Sequence, residues 1–360
     1  MTIDALKAKL EMEENGYTCV VRKGEDCRFS FAHGIKPLLE WIDEGNNFAG
    51  YGAADQVVGK AAALLYIHLG VKELYGKLLS EPAAAILEQY GVTYAYENKV
   101  PYIINRKKDG MCPMEQSVLE TSDPTEAVTL LKNTLASLKP PISGTAAKAA
   151  DRYAIDVMGI PSLELMERAS AHVADHIRKN CPGAGVLIIS GMGNNGADGV
   201  CIGRMLKESG FDPTILCCGS LWKGTWEFYH QLSEYRRIGG KILPVCGTCD
   251  DLPEADVLVD AVFGIGLKRK AEGEYFDLIT KMNGHRGLKL SVDVPSGINA
   301  DTGEKMGTYF IADRTFTFGR NKTGLTSGDG AAAAGKITVC EIGIPEEAYA
   351  QAAAPSHGNF

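Results

Sequence analysis

The apolar run Gly185-Val-Leu-Ile-Ile-Ser190 passes without a spacer into Gly191-Met192-Gly193-Asn194-Asn195-Gly196-Ala197-Asp198-Gly199, and few folds accept such a sequence. A buried strand that ends in closely spaced glycines and then turns helical, over about 199–208, reads as the first β–loop–α unit of a nucleotide-binding domain. Glycines let the backbone approach a phosphate, and the amides at the helix start point towards it. Further short apolar runs follow at 213–218, 241–245, 257–262, 288–293, 314–318 and 336–340, separated by helical stretches. Strands this apolar, alternating with helices, indicate a parallel sheet covered on both faces. The expected fold class is therefore α/β, with a Rossmann-like three-layer αβα carboxy-terminal domain. A long helical pattern over 145–180, broken at Gly159-Ile160-Pro161-Ser162, precedes it. Its apolar stripe of Leu163, Met166, Ala169 and Val173 has helical spacing and could serve a homodimer.

With 360 residues the chain exceeds one ordinary core, so two domains are expected. Pro140-Pro141 stops helix continuation and Ser143-Gly144 is loop chemistry. The boundaries drawn from this are 1–138 for a first domain, 139–144 for a linker, 145–350 for the second domain and 351–360 for a tail. The first domain reads as a smaller α/β unit. Its helix-like stretches are 35–43, 53–69 and 82–89, and its strand-like stretches are 18–22, 73–79 and 93–97.

A formal net charge of −8 argues against nucleic acid as a partner. No run of 18 apolar residues suggests a membrane span. The first residues carry no secretory h-region, and the ten cysteines are irregularly spaced. Reduced thiols and a cytoplasmic location are the expectation.

Two further segments converge on the glycine-rich loop. Asp260 lies inside the apolar run 257–262, where an ionised carboxylate is costly unless a cation or donor compensates it. Gly264 and Gly266 then form a second flexible loop, followed by Lys268, Arg269 and Lys270, which could face a phosphate. Asp293 ends the run 288–293, and Pro295-Ser296-Gly297 turns the chain away. In open α/β sheets ligands bind outside the carboxyl ends of the strands, which is where all three segments fall. Other candidates are weaker. Cys246-Gly247-Thr248-Cys249 has redox-motif spacing without an evident helix start to activate a thiol. His172 and His176 share a helix face without a third ligand and read as surface residues.

At these residues the chain resembles the NAD(P)HX epimerase family, the YjeF amino-terminal domain. The resemblance runs over about 145–350 and includes the helix Ile160-Pro161-Ser162-Leu163-Glu164-Leu165-Met166-Glu167-Arg168-Ala169, the GxGNNGxDG loop, the VDAxFGxGL segment, the DVPSG turn with Asp301-Thr302-Gly303, and Thr317-Phe318-Gly319. Ala197 stands where the family usually has glycine. The resemblance implies epimerisation of the R and S hydrates of NADH and NADPH, with a potassium ion near the substrate. Carried over by position, Asn194, Asn195, Gly196, Ala197, Asp198, Gly264, Ile265, Gly266, Leu267, Lys268, Arg269, Lys270 and Asp293 would contact the substrate. Asn195, Asp260 and Ser296 would hold the potassium ion. Asp293 is the expected general acid, with Asp198 or a bound water as the alternative proton donor. The family often carries a dehydratase as a second domain; its absence here implies a separate dehydratase as functional partner. A nucleotide- or RNA-binding regulator without turnover is the competing reading.

Residues 1–138 resemble a family of uncharacterised domains assigned a cytidine-deaminase-like fold, through Gly34-Ile35-Lys36-Pro37, Asp55-Gln56-Val57-Val58-Gly59-Lys60, Leu79-Ser80-Glu81-Pro82 and Asn105-Arg106-Lys107-Lys108-Asp109 to Cys112-Pro113-Met114-Glu115. A zinc deaminase needs H-x-E or C-x-E and PCxxC, and neither motif occurs. Asp55, Lys60, Ser80, Glu81, Arg106, Cys112 and Glu115 form a polar set that could gather at the same position.

Overall fold

The computed structural model describes residues 1–244 and 252–353. The Cys246–Cys249 motif, Val245 and residues 354–360 lie outside the described residues. The chain divides into two compact units, Met1–Leu135 and Ala136–Phe360.

The first unit contains helices α1 (Ile3–Asn15), α2 (Lys36–Asp43), α3 (Lys60–His68), α4 (Glu81–Gln89), α5 (Pro113–Ser117) and α6 (Pro124–Ser137), the last running just past the unit's boundary. Its strands are β1 (Cys19–Lys23), β2 (Asp26–Ser30), β3 (Gly52–Val58), β4 (Glu73–Ser80) and β5 (Thr93–Val100). They form one sheet in the order β2-β1-β3-β4-β5. β1 is antiparallel to β2 and β3, while β3, β4 and β5 run parallel. Ala8 and Met12 of α1 cover one face with Val20, Ala54 and Tyr75. The other face packs Val21, Ala53 and Leu74 against α2, α3, α4 and α6.

The helix expected over 53–69 is in fact a strand followed by a helix. Its alanines suggested helix, but Gly52 and Ala54 lie on the sheet face beneath α1, while Ala53 packs on the opposite face. A Cβ at Gly52 would lie 2.3 Å from the Ala5 nitrogen, so small residues are required by close packing, and tertiary context overrides propensity.

The second unit adds helices α7 (Gly144–Asp156), α8 (Ser162–Asn180), α9 (Asn194–Glu208), α10 (Trp226–Arg237), α11 (Glu274–Asn283), α12 (Gly328–Ala334) and α13 (Glu346–Ala353). Its strands are β6 (Val186–Ser190), β7 (Thr214–Cys217), β8 (Lys241–Pro244), β9 (Val257–Ala261), β10 (Leu288–Val292), β11 (Arg314–Phe318) and β12 (Lys336–Cys340). They pair in the order β12-β11-β10-β9-β6-β7-β8, and every pairing is parallel. The alternation of each strand explains the continuous apolar runs. Val186 and Ile188 of β6 face one core with α8, α9 and α10, while Leu187 and Ile189 face the other with α11. Chain order reverses between β6 and β9, so a crevice opens there at the carboxyl ends of the strands.

The α8 stripe is used inside the unit: Met166, Ala169 and Val173 are buried in the core and Leu163 packs against it. It therefore offers no free face for a dimer. His172 and His176 are half-buried and not surface residues. His172 Nε2 lies 2.9 Å from the Glu341 carbonyl, His176 packs on Phe316, and burial lowers its pKa to about 4. No helix among the described residues is long and apolar enough to cross a membrane.

Candidate active site

The glycine-rich loop is tighter than its sequence suggests. Helix α9 begins at Asn194, five residues before the expected start, and the capping residue Gly193 offers no side-chain acceptor. The amides of the first turn therefore lack intrahelical partners. A Cβ on Gly196 would fall 1.9 Å from the Gly191 carbonyl oxygen, which makes glycine obligatory where the helix doubles back over the loop.

A cleft of about 750 Å³ opens over the carboxyl ends of the central strands, within the range of small-molecule sites. Among the residues singled out from sequence, Asn194, Asn195, Asp198, Gly264, Ile265, Gly266, Leu267, Arg269 and Asp293 line it. Gly196 and Ala197 are buried beneath the loop. Lys268 and Lys270 are exposed outside the lining residues. Asp260 and Ser296 are both fully buried behind the wall.

Asp293 follows β10 in a left-handed conformation, with φ at 67°. Its amide donates to the Phe316 carbonyl at 2.7 Å, which fixes the turn. One carboxylate oxygen forms an ion pair with Lys322 at 2.8 Å, and the other accepts from the Ile265 amide at 3.3 Å. Lys322 is 2% exposed and also donates to the Phe318 carbonyl at 2.8 Å. Asp198 of α9 and Asp151 of α7 share the cleft. Desolvation pushes Asp198 well above the usual carboxylate range, reinforced by Asp293 and Asp151. Asp151 rises to about 6, chiefly through burial, with Lys322 opposing the shift. Three carboxyls thus share the cleft with one buried ammonium, which pairs with Asp293 and acts on Asp151, and holding a proton on at least one of them relieves the repulsion.

Neither Asp151 nor Lys322 was visible as a site residue from sequence. Asp151 lies on an amphipathic helix before the sheet, and Lys322 follows β11 in a polar stretch. The available signal was positional: Lys322 comes just after a strand's carboxyl end, where ligands collect.

Behind the loop, the Asp260 carboxylate is raised to about 6 by burial, which its hydrogen-bond donors partly offset. It accepts from the Ser296 amide at 2.8 Å and the Ser291 hydroxyl at 3.3 Å. Ser296 Oγ donates to it at 2.5 Å and accepts from the Phe263 amide at 2.9 Å. Nearby, both polar atoms of the Asn195 side chain are buried without a partner. A Cβ on Gly264 would lie 2.9 Å from Asn195 Oδ1 and 3.0 Å from Asp293 Oδ2. Gly264 is thus the spacer between the orphaned amide and the carboxylate. The unpartnered amide oxygen is a donor of the kind a hard cation takes, while the Asp260 and Ser296 oxygens are engaged with each other and with neighbouring amides.

In the first unit the polar set divides. Glu115 is 1% exposed and accepts from Ser80 Oγ at 2.6 Å and the Ile103 amide at 2.9 Å. Its carboxylate stands where α3 and α4 both begin, with Gly59 and Ser80 as their caps. Lys60 turns away to the Leu119 carbonyl. Asp55 is engaged elsewhere, with Tyr66 and the Val57 amide. Glu81 and Arg106 are exposed, and Cys112 caps α5.

Residues 162–324 match the family model of the YjeF-related protein N-terminus, and residues 7–135 match that of a domain of unknown function, DUF1893. A protein of Limosilactobacillus fermentum named NAD(P)H-hydrate epimerase is 41% identical over 203 residues, which cover 56% of this chain and 95% of the relative. A protein of the same name from Limosilactobacillus reuteri is 42% identical over 193 residues, covering 52% and 89%. The crystal structure of yeast ynu0 superposes with a TM-score of 0.50 at 19% identity, over 61% of this chain and 96% of that one, a likeness of fold.

Proposed function

Because the chain belongs to the NAD(P)H-hydrate epimerase family, we infer that it is an isomerase that interconverts the R and S forms of hydrated NADH and NADPH. The observation that carries the mechanism is the meeting of Asp198, Asp293 and Lys322 in one cleft. The hydrate is a hemiaminal, with its C6 hydroxyl on the carbon beside the ring nitrogen. Protonating that hydroxyl breaks the C–O bond and releases water, because the nitrogen lone pair stabilises the cation formed. Water then adds to the opposite face and loses a proton, which inverts the centre.

Such chemistry asks for one carboxyl that keeps its proton and another that accepts one. Asp198, whose pKa is raised, suits the donor. Asp293, ion-paired with Lys322, suits the acceptor. The acid role expected for Asp293 therefore moves to its neighbour, and Asp293 takes the complementary proton transfer. The uncapped start of α9 and the backbone of 264–267 would cradle the diphosphate.

Asn195, Asp260 and Ser296 would hold a potassium ion, which when bound would supply positive charge. The orphaned Asn195 amide supports this reading. The decisive assay mixes purified protein and R-NADHX with an S-specific dehydratase, the partner reaction that would consume the product. Consumption of the R form should accelerate with potassium present and slow when a bulky organic cation replaces it. No acceleration in potassium would defeat the epimerase reading, and equal rates in both salts would defeat the cation.

Gly264→Ala should lower kcat/KM about a hundred-fold, since its methyl must displace Asn195 or Asp293 by a fraction of an ångström and positioning errors of that order are costly. A variant with unchanged kcat/KM in the same coupled assay would refute the spacer role. For the first unit we propose, on the sequence resemblance alone, a cytidine-deaminase-like scaffold with the Glu115 carboxylate at the converging helix starts.

A further inference from the structure

We propose that Lys223 and Ser220 form a phosphomonoester subsite that makes the chain prefer NADPHX to NADHX; this rests on the epimerase reading. The reacting end of the cleft is defined by Asp293 and Lys322, which follow β10 and β11. A dinucleotide seated with its diphosphate at the start of α9 and its reacting ring there must extend its adenosine half across β6 to the end of β7. The segment after β7 is therefore the one that meets the ribose.

That segment is Cys218-Gly219-Ser220-Leu221-Trp222-Lys223. In dinucleotide folds an acidic residue at this strand end binds the free ribose 2′-hydroxyl, whereas a cation accommodates a 2′-phosphate. Residues 214–225 contain no Asp or Glu. Ser220, Lys223 and Thr225 all line the cleft. The loop is tied to the phosphate-binding turn, since the Thr225 amide donates to the Met192 carbonyl at 3.0 Å. Tyr275 closes the other side: a Cβ on Gly219 would sit 2.6 Å from its hydroxyl, and its ring packs on Phe263 at 4.8 Å. An apolar ring beside a serine and a lysine suits an adenosine 2′-phosphate. Glu227, a carboxylate just after this segment that also lines the cleft, accepts from Ser162 Oγ at 3.1 Å. Lys223 makes no ion pair among the described residues, so its charge is available.

The test compares kcat/KM for R-NADPHX and R-NADHX in the dehydratase-coupled assay, for the native chain, Lys223→Ala and Lys223→Glu. One charge-assisted contact predicts a preference of about ten-fold for NADPHX. Lys223→Ala should bring the ratio to about one through the NADPHX value alone, and Lys223→Glu should invert it. A native ratio near one, or equal losses on both substrates in Lys223→Ala, overturns the subsite. Equilibrium binding of NADP+ against NAD+ reads the same contact without turnover. Tighter NADP+ binding that Lys223→Ala abolishes, in a chain that turns over neither hydrate, would sustain the subsite and refute the epimerase reading.

Discussion

Asp293→Asn should lower epimerisation by about a thousand-fold, the middle of the range for removal of a proton-transfer group, while nucleotide binding persists. The substitution keeps the side chain's shape and its contact with the Ile265 amide but removes the charge facing Lys322. Equilibrium binding of NAD(P)+ separates the two effects: affinity should stay within a few-fold of the native chain while kcat collapses. Normal turnover in Asp293→Asn would remove this residue from the chemistry. The same measurement on Asp198→Asn distinguishes the paired roles, since both variants should be inactive if one carboxyl donates and the other accepts.

Lys322→Ala should have the largest effect on stability, about 3–5 kcal/mol, because it removes one partner of a buried pair and leaves the other uncompensated. Lys322→Met retains most of the buried stem, so the difference between the two variants reports packing and the remainder reports charge. The pH dependence has a definite sign. Asp151 has its pKa raised from 3.8 to about 6 in the fold, and Lys322 is what restrains the rise. A carboxyl raised in this way binds more protons folded than unfolded, so its contribution falls as pH climbs through that window. Without Lys322 the window extends upwards, and the deficit of Lys322→Met should be greater at pH 8 than at pH 5. Urea unfolding of the full chain at the two values measures it. An equal deficit at both would mean that the lysine acts through packing alone.

The strands of the second unit were legible because each is buried on both faces and reads as an unbroken apolar run. Asp260 and Asp293 stood out against that background. The carboxylate pairing did not, because it depends on α7 and on the turn after β11, which approach the loop only in three dimensions. Sequence also placed Gly196 and Ala197 among the contacts, whereas the early start of α9 draws them beneath the surface. In the first unit the alanine-rich stretch was misleading because close approach of α1 and helix propensity select the same small residues. The convergence of Ser80 and Glu115 needed the fold, since 35 residues separate them.

The left-handed backbone at Asp293 narrows what this position can become. Few side chains tolerate that conformation, and asparagine, aspartate and glycine tolerate it best. A longer carboxylate such as glutamate would retain the charge but strain the turn, so the acidic group cannot be shifted outward by a methylene without disturbing the chain behind it. The accessible neighbours in sequence space are therefore an inert amide or no side chain at all. Drift at this residue would be abrupt, separating working chains from silent ones with little between, and a library randomised at position 293 should return aspartate alone when selected for turnover.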